Sequence, residues 1–181
     1  MPIVSKFRHL KLQVQDLAES KEKFLQFIDG NYSDMARSDR LIFQEQDFFK
    51  KNSTENAAIY FLRHVIHDWP DLEAAKILGN LAAAMSPSSK LLICEHVVLP
   101  TYRSENNQLS DRPDSFLAPE PLLPNWGASF TSRLDLQVLA CINGKQRTES
   151  DFRCLANLAG LRVTQIWRNM GEEVIVECRL L

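Results

Sequence analysis

The stretch from Lys90 to Val98 is the feature that most constrains the fold, because it is almost continuously apolar and follows an amphipathic helical segment. A strand without polar alternation suits a sheet that is covered on both faces, as parallel sheets usually are. Glu95 is embedded in this strand, and a carboxylate in such a run seldom lies buried without a role. The alternative, in which Glu95 only caps a strand end at the surface, stays open at this point.

Strand-like and helical segments alternate along the chain and predict a mostly parallel α/β sheet. The predicted strands are 10–14, 41–43, 57–62, 90–98, 161–168 and 173–180. The predicted helices are 18–28, 70–86, 131–141 and 152–159. The last two strands are joined by the turn 169–172, so we expect an antiparallel hairpin at the carboxyl end.

Local signals sharpen three of these helices. We expect the first to stop at 29–31 (Asp-Gly-Asn) and the last to begin with a capping box at 148–151. The helix after Pro70 has acidic residues in its first turn, which favour the positive end of the helix dipole. The side chains expected on its buried face are Leu72, Ala75, Leu78, Ala82 and Met85.

Length and proline distribution predict the domain organisation. With 181 residues the chain is long enough for one domain with its own core, and we expect a single domain over 1–181. Five of the eight prolines fall between Pro100 and Pro124, in a polar stretch. This pattern predicts a long surface loop or lid at about 100–130.

The segment 60–70 reads Tyr-Phe-Leu-Arg-His-Val-Ile-His-Asp-Trp-Pro, so an apolar strand ends in polar residues just before a helix. In α/β sheets, ligands bind at the carboxyl ends of strands. Histidine exchanges protons near neutral pH, which makes His67 the candidate general base. The alternative, a local hydrogen-bonded cap for the next helix, weighs about equally on these residues alone.

Composition argues against several other classes. The formal net charge is −2 and the pI is near 6.1, so nucleic acid is not an expected partner. No window approaches the roughly 20 apolar residues that span a bilayer, so we expect no membrane partner and a cytoplasmic location. The four cysteines show no close CxxC pairing. We therefore expect them to be reduced and mostly buried, and we expect no metal site.

Four segments together resemble the small-molecule O-methyltransferases of plant and fungal secondary metabolism. They are 7–17, 46–49, 60–69 and 143–148. These enzymes are class I methyltransferases that use S-adenosylmethionine, and the long proline-rich insert is more similar to the fungal branch. The resemblance implies a Rossmann-like α/β sheet and methyl transfer to a phenolic or enolic oxygen of an aromatic or polyketide-like small molecule.

The resemblance also implies roles for individual residues. Asp16 would accept hydrogen bonds from the ribose hydroxyls of the cofactor, Asp47 would meet the adenine amino group, and Phe48 would meet the adenine ring face. Arg63 lies where relatives often carry a Lys near the cofactor. His67 would take the proton of the acceptor hydroxyl, with Glu95 as the carboxylate that supports it. Apart from the resemblance, Trp126, Phe130 and Met170 are candidates for the lining of an acceptor pocket, and packing in the core or the lid is the alternative for each of them.

Two departures from the family pattern are visible. Gln146 stands where the family usually carries a second Glu, so base catalysis is expected to be weaker. The family's catalytic domain begins with a strand and a glycine-rich turn, after a helical dimerisation domain. This chain shows no Gly-x-Gly before Leu10. We therefore expect a sheet that lacks its first central strand and has unpaired inner edges. Three outcomes stay open: the flanking strands pair directly, a second copy or a partner chain supplies the missing strand, or the chain is a fragment that folds poorly alone.

Three functional interpretations remain at this stage. The first is S-adenosylmethionine-dependent O-methyl transfer. The second keeps the scaffold but replaces methyl transfer with a cyclisation, dehydration or isomerisation that does not consume the cofactor. The third is a non-catalytic assembly protein that completes a partner's sheet.

Overall fold

The computed structural model describes residues 2–36, 39–99, 119, 121–122 and 129–181. The described residues form two compact units, Met1–Ser53 and Thr54–Leu181. The single-domain organisation therefore stays a prediction. The predicted lid at about 100–130 lies almost entirely outside the described residues.

The first unit contains two helices and two strands. They are α1 (Pro2–Lys6), β1 (Leu12–Asp16), α2 (Lys21–Ala36) and β2 (Leu41–Glu45). β1 and β2 pair in parallel, with Leu12 opposite Leu41 and Asp16 opposite Glu45. Their carboxyl ends therefore lie side by side at one edge of the unit.

The first helix loses its helical geometry one residue after the expected stop at 29–31. A short 3-10 helix at Ala18–Ser20 leads into α2, whose backbone leaves the helical region at Tyr32, with φ −145° and ψ 36°. Two helical segments therefore meet at a kink next to the Asp-Gly-Asn sequence, whose residues favour turns over helix interiors.

The second unit contains a four-stranded sheet. Its elements are β3 (Ile59–Arg63), α3 (Asp71–Ala82), β4 (Lys90–Glu95), α4 (Ser129–Ile142), α5 (Glu149–Leu158), β5 (Leu161–Met170) and β6 (Glu173–Leu180). The strand order is β3-β4-β6-β5, with β3 and β4 parallel and the other two pairings antiparallel. The expected α/β class with a carboxyl-terminal hairpin is confirmed, and the missing central strand stays a prediction.

The core of the second unit is built around β4, the strand whose continuous apolar sequence predicted burial on both faces. Leu91, Ile93 and Cys94 of β4 are fully buried, and α5 begins with the expected capping box between Thr148 and Asp151. The buried face of α3 was predicted only in part. Leu78 and Met85 are buried as expected, but Leu72 is 81% exposed, and the helix also buries Ala74, Ile77 and Leu81.

The cysteines are free, as expected for reduced thiols, but only two of them are buried. Cys94 and Cys178 lie inside, whereas Cys141 and Cys154 are exposed. Burial raises the pKa of Cys94 to about 11 and that of Cys178 to about 12, so both thiols stay protonated at neutral pH.

Candidate active site

The turn after β3 carries the candidate base. The chain leaves β3 at Arg63, passes His64 with a positive φ of 54°, and forms a 3-10 helix at Ile66–Asp68. Ile66 is fully buried and anchors the turn, while the side chain of His67 is 15% exposed. His67 therefore sits at the carboxyl end of a parallel strand, held on one side by the core.

Glu95 is the last residue of β4 and is 1% exposed. Because β3 and β4 are parallel neighbours, the two strand ends meet at one edge of the sheet. One oxygen of Glu95, Oε2, lies 2.6 Å from Nδ1 of His67. The other, Oε1, accepts the backbone N–H groups of Val65 at 3.1 Å and Ile66 at 2.9 Å. The surface-cap alternative for Glu95 does not fit this burial.

The pairing with Glu95 sets the protonation of His67. Its pKa is raised above the ordinary value, because the hydrogen bond to Glu95 outweighs the partial burial that opposes charging. An ionised carboxylate can only accept hydrogen bonds, so the proton of the neutral imidazole resides on Nδ1. Nε2 then carries the lone pair that a general base needs.

Nε2 faces a second carboxylate. Oδ1 of Asp68 lies 3.2 Å from it, and the Asp68 side chain is 41% exposed. This charge also raises the pKa of His67. The Asp68 side chain is partly exposed and can therefore rotate away from Nε2 at low cost.

Gln146 lies on a segment that contacts the same turn. The backbone N–H of the preceding Lys145 donates to the carbonyl oxygen of His67 at 2.8 Å. Gln146 is 3% exposed, and both polar atoms of its side chain lack a hydrogen-bond partner among the described residues. A buried amide without partners is costly, so this side chain is available to a ligand.

A second histidine–carboxylate pair lies beside the first. Nε2 of His64 is 2.7 Å from Oε1 of Glu173, and Nη2 of Arg63 donates to the same oxygen at 2.8 Å. Cys94 Sγ is 3.2 Å from the other oxygen. The hydrogen bonds from Arg63, His64 and Cys94 lower the pKa of Glu173 to about 2. No pattern in the sequence predicts this cluster, because Glu173 is 110 residues from Arg63 in the chain.

Two groups among the described residues have the spacing of metal ligands. They are His64, His96 and Glu173, and His64, His67 and Glu95, with donor atoms that lie within 4.8 Å of one another. Arg63 already occupies the Glu173 oxygen that faces His64, and a cation there would meet its positive charge. The expectation that the site works without a metal stays a prediction.

The expected cofactor residues fall in both units. Asp16 ends β1, and its carbonyl accepts the N–H of Gln46, so the start of the β2 turn lies beside it. Oδ1 of Asp16 accepts the N–H of Leu17 at 2.7 Å, and Oδ1 of Asp47 accepts the N–H of Phe49 at 2.9 Å. The structure thus brings Asp16 and Asp47 to one sheet edge.

Phe48 follows in the same turn as Asp47 and is half-buried, with its ring 5.1 Å from that of Phe49. Arg63 belongs to the second unit and is paired with Glu173.

Of the three residues expected to line an acceptor pocket, only Phe130 has a described side chain. Phe130 is 46% exposed and its ring lies 5.5 Å from that of His96. Trp126 and the side chain of Met170 lie outside the described residues. Among the described helices, none combines the length and apolar character needed to cross a membrane.

Sequence reasoning missed Arg147, which is 1% exposed and makes hydrogen bonds to the turn that carries His67. The residue belongs to the segment 143–148 that carries the family resemblance. A charged residue in a loop shows no periodicity, so burial could not be read from the sequence.

Comparison with known proteins agrees with this arrangement. The sequence matches the family described as the O-methyltransferase domain over residues 1–162. It is 37% identical over 171 residues to O-methyltransferase gedA of Aspergillus terreus, covering 93% of this chain and 34% of that protein. It is 33% identical to 3-O-methyltransferase 2 of Phanerochaete chrysosporium, covering 98% of this chain and 39% of that protein.

Solved structures give the same result. The mitomycin 7-O-methyltransferase MmcR matches with a TM-score of 0.75 and 27% identity, covering 99% of this chain and 44% of that one. OxaC, solved with SAH and oxaline, matches with a TM-score of 0.69 and 32% identity, covering 100% of this chain and 38% of that one. The chain therefore spans between about a third and somewhat under half the length of these relatives.

Proposed function

Because the chain belongs to the O-methyltransferase domain family, we propose that it transfers a methyl group from S-adenosylmethionine to a hydroxyl oxygen of a small molecule. The acceptor is a phenol or enol of an aromatic or polyketide-like compound, of the kind that secondary metabolism produces. The observation that supports this proposal is the buried Glu95 carboxylate 2.6 Å from Nδ1 of His67 at the end of parallel strands.

The cofactor proposal is supported by two carboxylates of the first unit, those of Asp16 and Asp47, which can accept hydrogen bonds from the cofactor. Asp16 keeps one carboxylate oxygen beyond the one that binds Leu17, and two vicinal ribose hydroxyls are suitable donors to it. In this proposal Asp47 and Phe48 hold the adenine by its amino group and its ring face. When bound, S-adenosylmethionine supplies a methyl carbon that a sulfonium makes electrophilic. OxaC, at 32% identity, was solved with the corresponding product SAH.

The chain's own residues handle the proton. Nε2 of His67 takes the proton from the acceptor hydroxyl, while Nδ1–H stays bonded to Glu95. A free phenol has a pKa near 10 and histidine a pKa of about 6.5. Because the pKa of His67 is raised, the difference between the two pKa values is smaller and proton transfer to His67 is less unfavourable. The negative charge of Glu95 stabilises the imidazolium that forms, and the exposed Asp68 can carry the proton onward to water.

The other interpretations gain no support from the described geometry. One solved structure with this fold is described as a pericyclic reaction enzyme. It is 21% identical to this chain, so the likeness shows the fold alone. Completion of the sheet by a second copy or a partner chain remains a prediction from the sequence.

Titration calorimetry of the chain with S-adenosylmethionine tests the cofactor proposal. We expect measurable binding, and we expect Asp16→Asn to weaken it by about 10- to 100-fold, because an amide is a poorer acceptor for two hydroxyls. Asp29→Asn is the matched control, since Asp29 is exposed on α2 and should leave affinity unchanged. No heat and no thermal stabilisation at millimolar cofactor would end the proposal for this chain.

Gln146→Glu should strengthen base catalysis. In this proposal a carboxylate at position 146, where the family usually carries a Glu, supports the imidazolium by its negative charge, so we expect turnover to rise by up to about tenfold and the midpoint of the pH–rate profile to move upward. Thermal stability should fall, because the new charge is buried. Gln137→Glu, at an exposed position of α4, gives the same change of charge as a control. An unchanged rate and pH profile would contradict the role given to Gln146.

A further inference from the structure

Arg147 makes hydrogen bonds to backbone carbonyls of the turn that carries His67. Its Nη1 donates to the carbonyl of Ile66 at 2.8 Å, and its Nη2 donates to the carbonyl of Trp69 at 2.9 Å. These two carbonyls lie immediately before and two residues after His67. The guanidinium therefore spans the short 3-10 helix from one end to the other.

Asp71 fixes the guanidinium in this position. Nε and Nη2 of Arg147 both donate to its Oδ1, at 3.0 and 2.8 Å. Partial burial opposes ionisation of Asp71, but the hydrogen bonds from Arg147 and Lys145 outweigh it and hold the pKa below its usual range. The Asp71 side chain is 52% exposed, whereas that of Arg147 is 1% exposed, so Asp71 balances a buried positive charge. The two hydrogen bonds to Asp71 also fix the orientation of the guanidinium.

The backbone around Arg147 is tied to the same turn. Lys145 N–H donates to the His67 carbonyl at 2.8 Å, and a Cβ on Gly144 would come within 2.2 Å of that oxygen. Only glycine allows this approach. Beyond Arg147, its carbonyl accepts the N–H of Val98, which follows β4 in the chain. The arginine is thus held between the strand that ends in Glu95 and the turn that carries His67.

The turn has no side-chain caps of its own. Neither the 3-10 helix at Ile66–Asp68 nor the start of α3 has a side-chain hydrogen bond from its N-cap residue, Val65 and Pro70 respectively. Short 3-10 helices have poor hydrogen-bond geometry and depend on outside contacts. Glu95 supplies acceptors for the N–H groups of this turn, and Arg147 supplies donors for its carbonyls.

We propose that Arg147 is a positioning residue, which holds the turn so that the His67 ring stays in register with Glu95. It acts through the backbone on both sides of His67 and is not assigned a contact with acceptor or cofactor. A lysine cannot replace it, because an ammonium lacks the planar fork that reaches Ile66, Trp69 and Asp71 together. The effect on turnover rests on the proposed function, whereas the effect on the turn does not.

Amide hydrogen exchange in Arg147→Lys tests this directly. The N–H groups of Val65 and Ile66 report whether the turn stays on Glu95. We expect their exchange to become faster by roughly tenfold or more, while the buried amides of Leu91 and Val176 keep their protection. Arg162→Lys, at an exposed position of β5, should change neither set. Asp71→Asn should give a smaller change in the same two amides.

Kinetics supply the second measurement. With acceptor and cofactor saturating, Arg147→Lys should lower kcat by about 10- to 100-fold and leave both KM values within about twofold, because small misplacement of a base affects chemistry rather than binding. Unchanged exchange at Val65 and Ile66, or acceleration spread equally over Leu91 and Val176, would overturn the positioning role. If the wild-type chain shows no methyl transfer but the local exchange effect is present, the proposed function fails and the positioning role of Arg147 stands.

Discussion

Replacing His67 with Gln should lower the rate of methyl transfer by about 10²- to 10⁴-fold, the range that general-base catalysis contributes. Glutamine keeps a side chain of similar polarity but cannot take a proton at neutral pH. The hydrogen bond from the side chain to Glu95 can still form, so the buried carboxylate is not left alone. The loss should therefore fall on kcat, measured with both substrates saturating.

Cofactor binding separates this outcome from loss of the fold. The residues proposed to hold the cofactor, Asp16 and Asp47, are unchanged, so calorimetric affinity should stay within about twofold of the wild-type value. His9→Gln is the control, because His9 is exposed and belongs to the first unit. A His67→Gln protein that keeps full turnover would remove His67 from the role of base.

The central pair of this site could be predicted from the sequence for a physical reason. His67 follows β3 and Glu95 ends β4, and adjacent parallel strands bring their carboxyl ends together. Asp16 and Asp47 follow the same rule on β1 and β2. Positions at strand ends are therefore accessible to sequence reasoning, because the direction of the chain fixes them.

Contacts that depend on side-chain packing were not accessible in this way. The buried face of α3 was predicted correctly at Leu78 and wrongly at Leu72, because small and apolar residues occur on both faces of this helix. Arg147 and Glu173 are loop and hairpin residues whose partners lie far along the chain. No periodic pattern marks such residues, and only the packed structure shows what they touch.

Glu95→Gln is the second prediction with a large effect, and it acts through the tautomer of His67. Oε1 of Glu95 accepts three backbone N–H groups, from Val65, Ile66 and His67, so a glutamine here should keep its carbonyl oxygen on that side. Its amide nitrogen then faces Nδ1 of His67 and donates to it. The neutral imidazole must carry its proton on Nε2, which removes the lone pair that accepts the substrate proton.

The loss of charge acts in the same direction. Without the carboxylate the pKa of His67 falls, so the imidazole is a weaker base. The lower basicity and the changed tautomer both hinder removal of the substrate proton. We expect kcat to fall by about 10²- to 10⁴-fold, as in triads where the orienting carboxylate becomes an amide. Glu172→Gln, exposed and next to the hairpin turn, is the control with the same chemical change.

The pH dependence makes this prediction specific. The wild-type rate should rise with pH through a midpoint above 6.5, because His67 must be neutral to act and its pKa is raised. The stabilisation from the charged pair is complete below the unfolded value of 6.5 and is lost as pH rises through the raised pKa. In Glu95→Gln the midpoint should move down and the stability advantage at low pH should disappear. A variant with the wild-type midpoint and rate would show that Glu95 only holds the backbone of the turn.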